Sequence, residues 1–294
     1  MSELPFDLTL EGAPGECVRL SPRVRRVLAP NPSPFTFRGT CTYIIGTGEV
    51  AVIDPGPADS AHIEALLAAV SGEKLRHILL THTHHDHYPA VSPLAEATGA
   101  MIAGCRGTND SAFAYKPDRV LEEGERIEGP DYTLTALATP GHAANHLCYE
   151  LEEEKALFSG DHVMGWSTSV VIPPDGNMGD YMASLRRLLD RDHDIYWPGH
   201  GGPVTEPKRL VRALLQHRRQ REKTILAALG EEPLTIDSIV ERVYRGIAEN
   251  LREAAAQSTL AHLCDLVMRG EAASLGPASR TARYFRASPE GGAK

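Results

Sequence analysis

The segment Leu79-Leu80-Thr81-His82-Thr83-His84-His85-Asp86-His87-Tyr88 constrains this chain more than any other. It runs from an apolar strand into a loop that opens a helix. Its H-x-H-x-D-H pattern brings His82, His84, Asp86 and His87 close together along the chain. Imidazole nitrogens and carboxylate oxygens are the donors that divalent zinc and iron accept. In an extended loop, residues i and i+2 point the same way. His82 and His84 can therefore grip one cation, while Asp86 and His87 turn toward a second. A surface loop that is merely rich in histidine is the bland alternative. Against it stand three further places of the same build: Thr139-Pro140-Gly141-His142, Phe158-Ser159-Gly160-Asp161 and Tyr196-Trp197-Pro198-Gly199-His200. Each is a short apolar strand, then a small residue, then one metal-type ligand. Glycine there lets the backbone approach a crowded site.

The rest of the pattern alternates strands with helices. Residues 1–38 carry many prolines, which predicts extended edge strands and turns. Thr40–Ile45 and Val50–Ile53 read as a hairpin. Ala58–Val70 and Tyr88–Ala97 read as helices, stopped by Gly72 and Gly99. His77–Leu80, Ala100–Ala103, Tyr132–Ala138, His146–Leu151, Ala156–Phe158 and Asp194–Trp197 read as strands, and Met178–Leu189 as a helix. This mixture predicts layered sheets with helices outside. From Pro207 the character becomes helical: Pro207–Leu229, Thr235–Tyr244 and Leu251–Met268, followed by a turn or wing over Ala272–Arg286. The expected division is 1–206 and 207–294, or a boundary near 224 if the long helix is shared.

A chain of 294 residues can bury about three quarters of its unfolded surface and needs no metal to fold. A metal site in it is therefore functional. The net charge of −9 argues against a protein built as a whole for nucleic acid or anionic lipid. Residues 1–206 hold 15 basic against 29 acidic residues, and residues 207–294 hold 15 against 10, so the two parts differ in surface. Five widely spaced cysteines without C-x-x-C, no signal-like N-terminus and no long apolar run give the expectation of a cytoplasmic protein with reduced thiols and no membrane span.

The succession H-x-H-x-D-H, T-P-G-H, S-G-D, P-G-H resembles the metallo-β-lactamase superfamily of hydrolases over roughly residues 35–205. The resemblance implies an α+β fold, a four-layer αββα sandwich with two metals at one edge between the sheets. It implies that His82, His84 and His142 hold one divalent cation, that Asp86, His87 and His200 hold the other, and that Asp161 bridges them. Asp54 matches a supporting position beneath the site. Zinc is the expected metal, with manganese or iron as alternatives. The stretch Asp175–Leu185, the Pro198–Gly201 turn and His217–Glu222 are similar to the β-lactamase-like protein 2 group, which adds a C-terminal winged-helix-like domain. Ala143 and His162 depart mildly from the family pattern, at positions that are not ligands.

In such a site two cations share one water, lower its pKa and yield the attacking hydroxide. Asp86 is the residue expected to orient it and carry a proton. The expected reaction is hydrolysis of an ester, thioester or related acyl bond in a small-molecule substrate. One alternative is an endoribonuclease acting on single-stranded RNA. Another is a nucleic-acid-binding regulator with a metal-sensing domain. Leu251–Met268, with Arg252 beside Glu253, then Ala254–Ala256, His262 and Asp265, is not the basic face that a reading helix needs. His146 and His162 are candidates for the substrate pocket or the surroundings of the metals, and His85 is expected to face away. Met164, Trp166 and Tyr181 either shape the pocket or pack in the core.

Overall fold

The structure, a computed structural model, describes residues 4–107 and 115–287. Seven strands form the first sheet in chain order: β1 (Cys17–Arg19), β2 (Val24–Leu28), β3 (Cys41–Ile45), β4 (Glu49–Ile53), β5 (Lys74–Leu80), β6 (Met101–Gly104) and β7 (Arg119–Val120). Pairing is antiparallel from β1 to β4 and parallel from β4 to β7. The β3–β4 hairpin is the one the sequence predicts. Parallel neighbours need a crossover. The helix α1 (Ser60–Ala69) supplies it between β4 and β5, and α2 (Val91–Thr98) between β5 and β6. The Asp59 side chain accepts from the His62 N–H to start α1, and Gly99 in the left-handed conformation ends α2. The helix expected from Tyr88 begins only at Val91, because the residues before it form turns that carry the histidine loop.

The second sheet contains β8 (Arg126–Glu128), β9 (Thr133–Ala138), β10 (Leu147–Leu151), β11 (Ala156–Gly160) and β12 (Ile195–Pro198), ordered β12-β11-β10-β9-β8. Only β11 and β12 run parallel, and α3 (Met178–Leu189) crosses between them. Alternation along these strands separates two cores. Leu134, Ala136, Tyr149 and Phe158 belong to the core shared with the first sheet, whereas Leu137, Cys148 and Leu157 pack with Tyr181, Leu185 and Leu188 of α3. The sheets are pinned to each other by two buried tyrosines. Tyr43 donates to the Pro198 carbonyl and Tyr149 to the Leu80 carbonyl, each at 2.7 Å. The result is the helix–sheet–sheet–helix layering expected from the sequence.

The chain continues through α4 (Pro207–Ala228), α5 (Ile236–Val243) and α6 (Arg252–Met268). A small sheet of β13 (Leu234–Thr235), β14 (Ala272–Leu275) and β15 (Arg283–Arg286) completes it, and its β14–β15 hairpin is the wing. α4 serves two cores. Leu210, Val211, Leu214 and Leu215 pack beneath the second sheet, while Ile225 packs with Ile236, Ile239, Leu263 and Tyr284. Among the described residues no helix is long and apolar enough to cross a membrane.

Candidate metal centre

The strands β5, β9, β11 and β12 all end at one edge of the sandwich, and the ligand-type side chains follow their last residues. His82, His84 and His142 form one group, and Asp86, His87 and His200 another. His82, His87 and Asp161 link them, with ligand atoms in each group lying within 4.8 Å of one another. Asp161 reaches both sides. Its Oδ2 is 3.6 Å from His142 Nε2 and 4.0 Å from His82 Nε2; its Oδ1 is 3.5 Å from His87 Nε2 and 3.4 Å from His200 Nε2. Asp86 Oδ2 is 3.0 Å from His200 Nε2 and 3.5 Å from His87 Nε2. The seven side chains scattered over the sequence are thus brought to one place.

The tethers on the far side of each ring decide what these atoms can do. His142 Nδ1–H donates to the Val170 carbonyl at 2.5 Å, His200 Nδ1–H to the Gly39 carbonyl at 3.3 Å, and His87 Nδ1–H to Asp54 Oδ2 at 3.0 Å. His82 Nδ1–H donates to Thr81 Oγ1 at 2.9 Å, because that hydroxyl gives its own proton to Asp54 Oδ2. His84 Nε2 lies 3.4 Å from Asp175 Oδ2. In each ring the tethered nitrogen carries a proton, so a neutral imidazole there presents its lone pair from the other nitrogen. The bare His84 Nδ1 is 3.0 Å from His82 Nε2 and 2.9 Å from His142 Nε2. His87 Nε2 and His200 Nε2 face each other at 3.3 Å. Lone pairs aimed at one another across such distances, with two carboxylates beside them, require positive charge between them. The donor set, all nitrogen and oxygen, fits divalent cations.

Local electrostatics favour neutral rings at His82 and His142 and positive charge on the Asp86 side of the cluster. Burial pushes the His82 imidazole well below its usual range and that of His142 down to about 4. Burial also opposes charge on His87 and His200. At His87 the Asp86, Asp161 and Asp54 carboxylates outweigh it and hold the ring well above the usual value, and at His200 Asp161 and Asp86 raise it to about 9. Burial would raise the Asp86 carboxyl, but His87 and His200 lower it to about 2.

The crowding requires glycine at two of the motif positions. A Cβ on Gly199 would stand 2.6 Å from Asp161 Oδ1, and one on Gly141 would stand 2.3 Å from the Tyr181 backbone. Asp54 lies beneath the cluster, accepting from Thr81 N–H, the Thr81 hydroxyl and His87. His146 sits behind the cluster, where its Nε2 accepts the Asp161 N–H and its Nδ1 meets Thr139 Oγ1. His162 is fully buried, stacked edge-on to Tyr181 at 4.9 Å, and neither of its ring nitrogens has a partner. It does not line the groove in front of the site. His85, expected to face away, does line it, with its ring edge-on to Tyr88 at 5.8 Å. Met164 also faces the groove, whereas Trp166 stacks on Phe37 at 5.0 Å and Tyr181 is buried against α4.

Sequence reasoning did not identify Thr81, Val170, Gly39 or Asp175 as tethers. Of these only Thr81 carried a signal, since it adjoins the histidine motif. It also missed the groove, a cavity of about 550 Å³ whose floor is His84, Asp86, His142 and Asp161 and whose walls include Phe35, Pro57, Met164, Val170 and Ile172. Phe35 is 62% exposed and Ile172 43% exposed at its rim, and among the described residues no Lys or Arg lines it.

Comparison with known proteins fits this geometry. A family model described as Metallo-beta-lactamase superfamily matches residues 35–200, and one described as Beta-lactamase associated winged helix domain matches residues 235–279. The chain is 33% identical over 265 residues to an atrochrysone carboxyl ACP thioesterase of Claviceps purpurea, covering 85% of this chain and 80% of that protein. It is 32% identical over 244 residues to the beta-lactamase-like protein 2 homolog of Caenorhabditis elegans, covering 81% of each. A crystal structure of a metallo-beta-lactamase family protein from Thermus thermophilus superposes with a TM-score of 0.74 at 26% identity, covering 91% of this chain and 100% of that one. With the four ligand-bearing strand ends, the two-sheet sandwich and the winged helix all accounted for, the chain belongs to the metallo-β-lactamase superfamily.

Proposed function

We propose that this protein is a metal-dependent acyl hydrolase that cleaves a thioester whose acyl part lies in the apolar groove. The observation that carries the proposal is the position of the ligand-type cluster on the floor of a groove walled by Phe35, Met164, Val170 and Ile172, with no cationic side chain along it among the described residues. An uncharged, apolar acyl group gains by burial there. A polyanion such as RNA would find no Lys or Arg in the groove to meet its phosphates. The thioesterase name of the Claviceps relative supports the same reaction class. The regulator alternative is disfavoured by α6, whose Ala255, Ala256, Thr259, Leu260, Ala261, His262, Leu263 and Leu266 are buried, which leaves little of the helix to enter a groove of DNA. In this reading the chain comprises units 1–206 and 207–294, and the first half of α4 packs back onto the first unit.

His82, His84 and His142 would hold one cation, Asp86, His87 and His200 the other, and Asp161 both; zinc suits these donors, as do manganese and iron. Such a pair supplies a water of lowered pKa and polarises the acyl oxygen. Asp86, held ionised and the most open of the carboxylates in the cluster, orients the attacking water and takes its proton. The water oxygen bonds to the acyl carbon, the carbon–sulfur bond breaks, and the sulfur departs as a thiolate. A thiol pKa of about 8.5 lets it leave without a proton from the protein.

The test is a panel of pantetheine thioesters of increasing acyl length, with single-stranded RNA and bis-p-nitrophenyl phosphate alongside, on protein whose metal content has been measured. Turnover of thioesters is expected, with kcat/KM rising about fourfold per added methylene over the first few carbons. RNA is expected to stay intact. Phe35→Ser should flatten the dependence on length and leave the metal content unchanged. RNA cleavage without thioester cleavage would overturn the proposal.

A further inference from the structure

Arg218, near the middle of α4, is 4% exposed, and among the described residues no carboxylate lies within ion-pair distance of it. Its guanidinium carbon lies 5.3 Å from the centre of the Tyr181 ring, its Nη2 donates to the Ser169 carbonyl, and its Nε has no partner. A buried cation without a counter-charge is costly. Its place is explained by what it holds.

The Ser169–Val170 segment has two other attachments, and both end on the metal-type cluster. The Ser169 hydroxyl donates to the Asp161 carbonyl at 2.5 Å, and the Val170 carbonyl accepts from His142 Nδ1 at 2.5 Å. Tyr181, whose ring faces the same guanidinium, sets its backbone against Gly141 so closely that a Cβ there would clash at 2.3 Å, and Gly141 precedes His142. One buried side chain of α4 therefore braces, through a single short segment and one helix, two residues of the cluster: His142 of the three-histidine group, and Asp161. Helix α4 is also the element that carries Ile225 into the core of the C-terminal unit.

We propose that Arg218 is a positioning residue for the metal centre, fixing the orientation of His142 and Asp161 through Ser169 and Val170, and that this is how the C-terminal unit supports the catalytic site. The inference rests on reading the cluster as a metal site, and the experiment separates the two. Affinity for zinc is measured by competition with a chromogenic chelator, and the ligand field by the visible spectrum of the cobalt-substituted protein. If the wild-type chain binds no cation, the metal reading itself fails.

Given binding, Arg218→Met keeps the stem and removes the donors. It should lose on the order of 10-fold in affinity, as removal of an outer tether does, with a changed cobalt spectrum. Arg218→Lys, which keeps a donor for the Ser169 carbonyl, should recover to within about 3-fold of wild type. Arg221→Met is the control. Arg221 is also buried on α4, over the ring of Tyr244 at 3.9 Å, and its loss should leave affinity and spectrum unchanged. Ser169→Ala removes only the hydroxyl on Asp161 and should lower affinity even if Arg218→Met does not fold. Wild-type affinity and spectrum in Arg218→Met or in Ser169→Ala would overturn the proposal. So would equal losses in Arg218→Met and Arg221→Met, which would mark a general effect of destabilising the helix.

Discussion

Two buried regions of this molecule are rich in histidine, and they are built on opposite principles. In the metal-type cluster, His82, His84, His87, His142 and His200 each have one ring nitrogen on an oxygen acceptor, and the other points into the cluster. At the joint between α3, α4 and α6, His262 has neither nitrogen partnered among the described residues, and His162, behind the site, is alike. Burial does not separate the two classes, since His82 is 0% exposed and His262 1% exposed. The tether does. A tethered imidazole has its tautomer fixed and its lone pair aimed, which is what a ligand requires. An untethered one in the core is a neutral ring that fills space. The charges that act on the rings differ as well: Asp54, Asp86 and Asp161 raise His87, while Arg218, Arg221, His217 and Arg269 lower His262.

The sharpest way to break the comparison is to remove the residue shared by both ligand groups. Asp161→Ala should abolish binding of one cation and cut turnover by roughly a thousandfold or more, given the several kcal/mol of charge stabilisation that a metal supplies. Metal content by elemental analysis and kcat on a thioester are the two measurements, and full activity would sink the shared-ligand arrangement. Next in size is a tether. Asp54→Ala deletes the acceptor of His87 Nδ1 and of the Thr81 hydroxyl that orients His82. It should cost about 10–100-fold in cation affinity without removing any ligand atom. If Asp54→Ala bound zinc as wild type does, the distinction between tethered and merely buried histidines would lose its meaning.

How much of this could be read from the chain follows from the same distinction. The ligand-type side chains announce themselves because they are unusual residue types at strand ends, as in Thr81–His87 and in the three glycine-preceded motifs. The longer helices and the hairpin were also readable, because their apolar spacing is regular over many residues. Two kinds of feature were not. The short polar strands β7 and β8 carry no period, being two and three residues long, and they form because neighbours offer an edge. The tethers on His142 and His200 are main-chain carbonyls of Val170 and Gly39, and a carbonyl belongs to every residue. Likewise nothing in Pro34-Phe35-Thr36 or Val171-Ile172-Pro173 marks a groove wall. That role exists only once the two segments stand opposite each other over His84 and His142.

The smallest expected effect tests the untethered side. Burial, with Arg218, Arg221, His217 and Arg269 around it, holds the His262 ring well below its usual value of 6.5, and burial with Arg218 and Arg221 lowers His217 to about 4. In the unfolded chain both rings take up a proton at about pH 6.5. Between that pH and the folded value the unfolded state holds more protons, so the folding stability they allow is complete above about 6.5 and declines as pH falls. His262→Leu removes one such proton from the balance. The fall in Tm between pH 7 and pH 5 should therefore be shallower in the variant than in wild type, though not absent while His217 remains. Zinc affinity at pH 7 should stay within about twofold of wild type, because an imidazole with no tether aims no lone pair at a ligand site. Thermal melts at matched ionic strength, compared as slopes rather than as single midpoints, read the first quantity, and chelator competition reads the second. An unchanged slope would mean that His262 is paired in the folded protein, and a large loss of zinc would place it among the tethered rings after all.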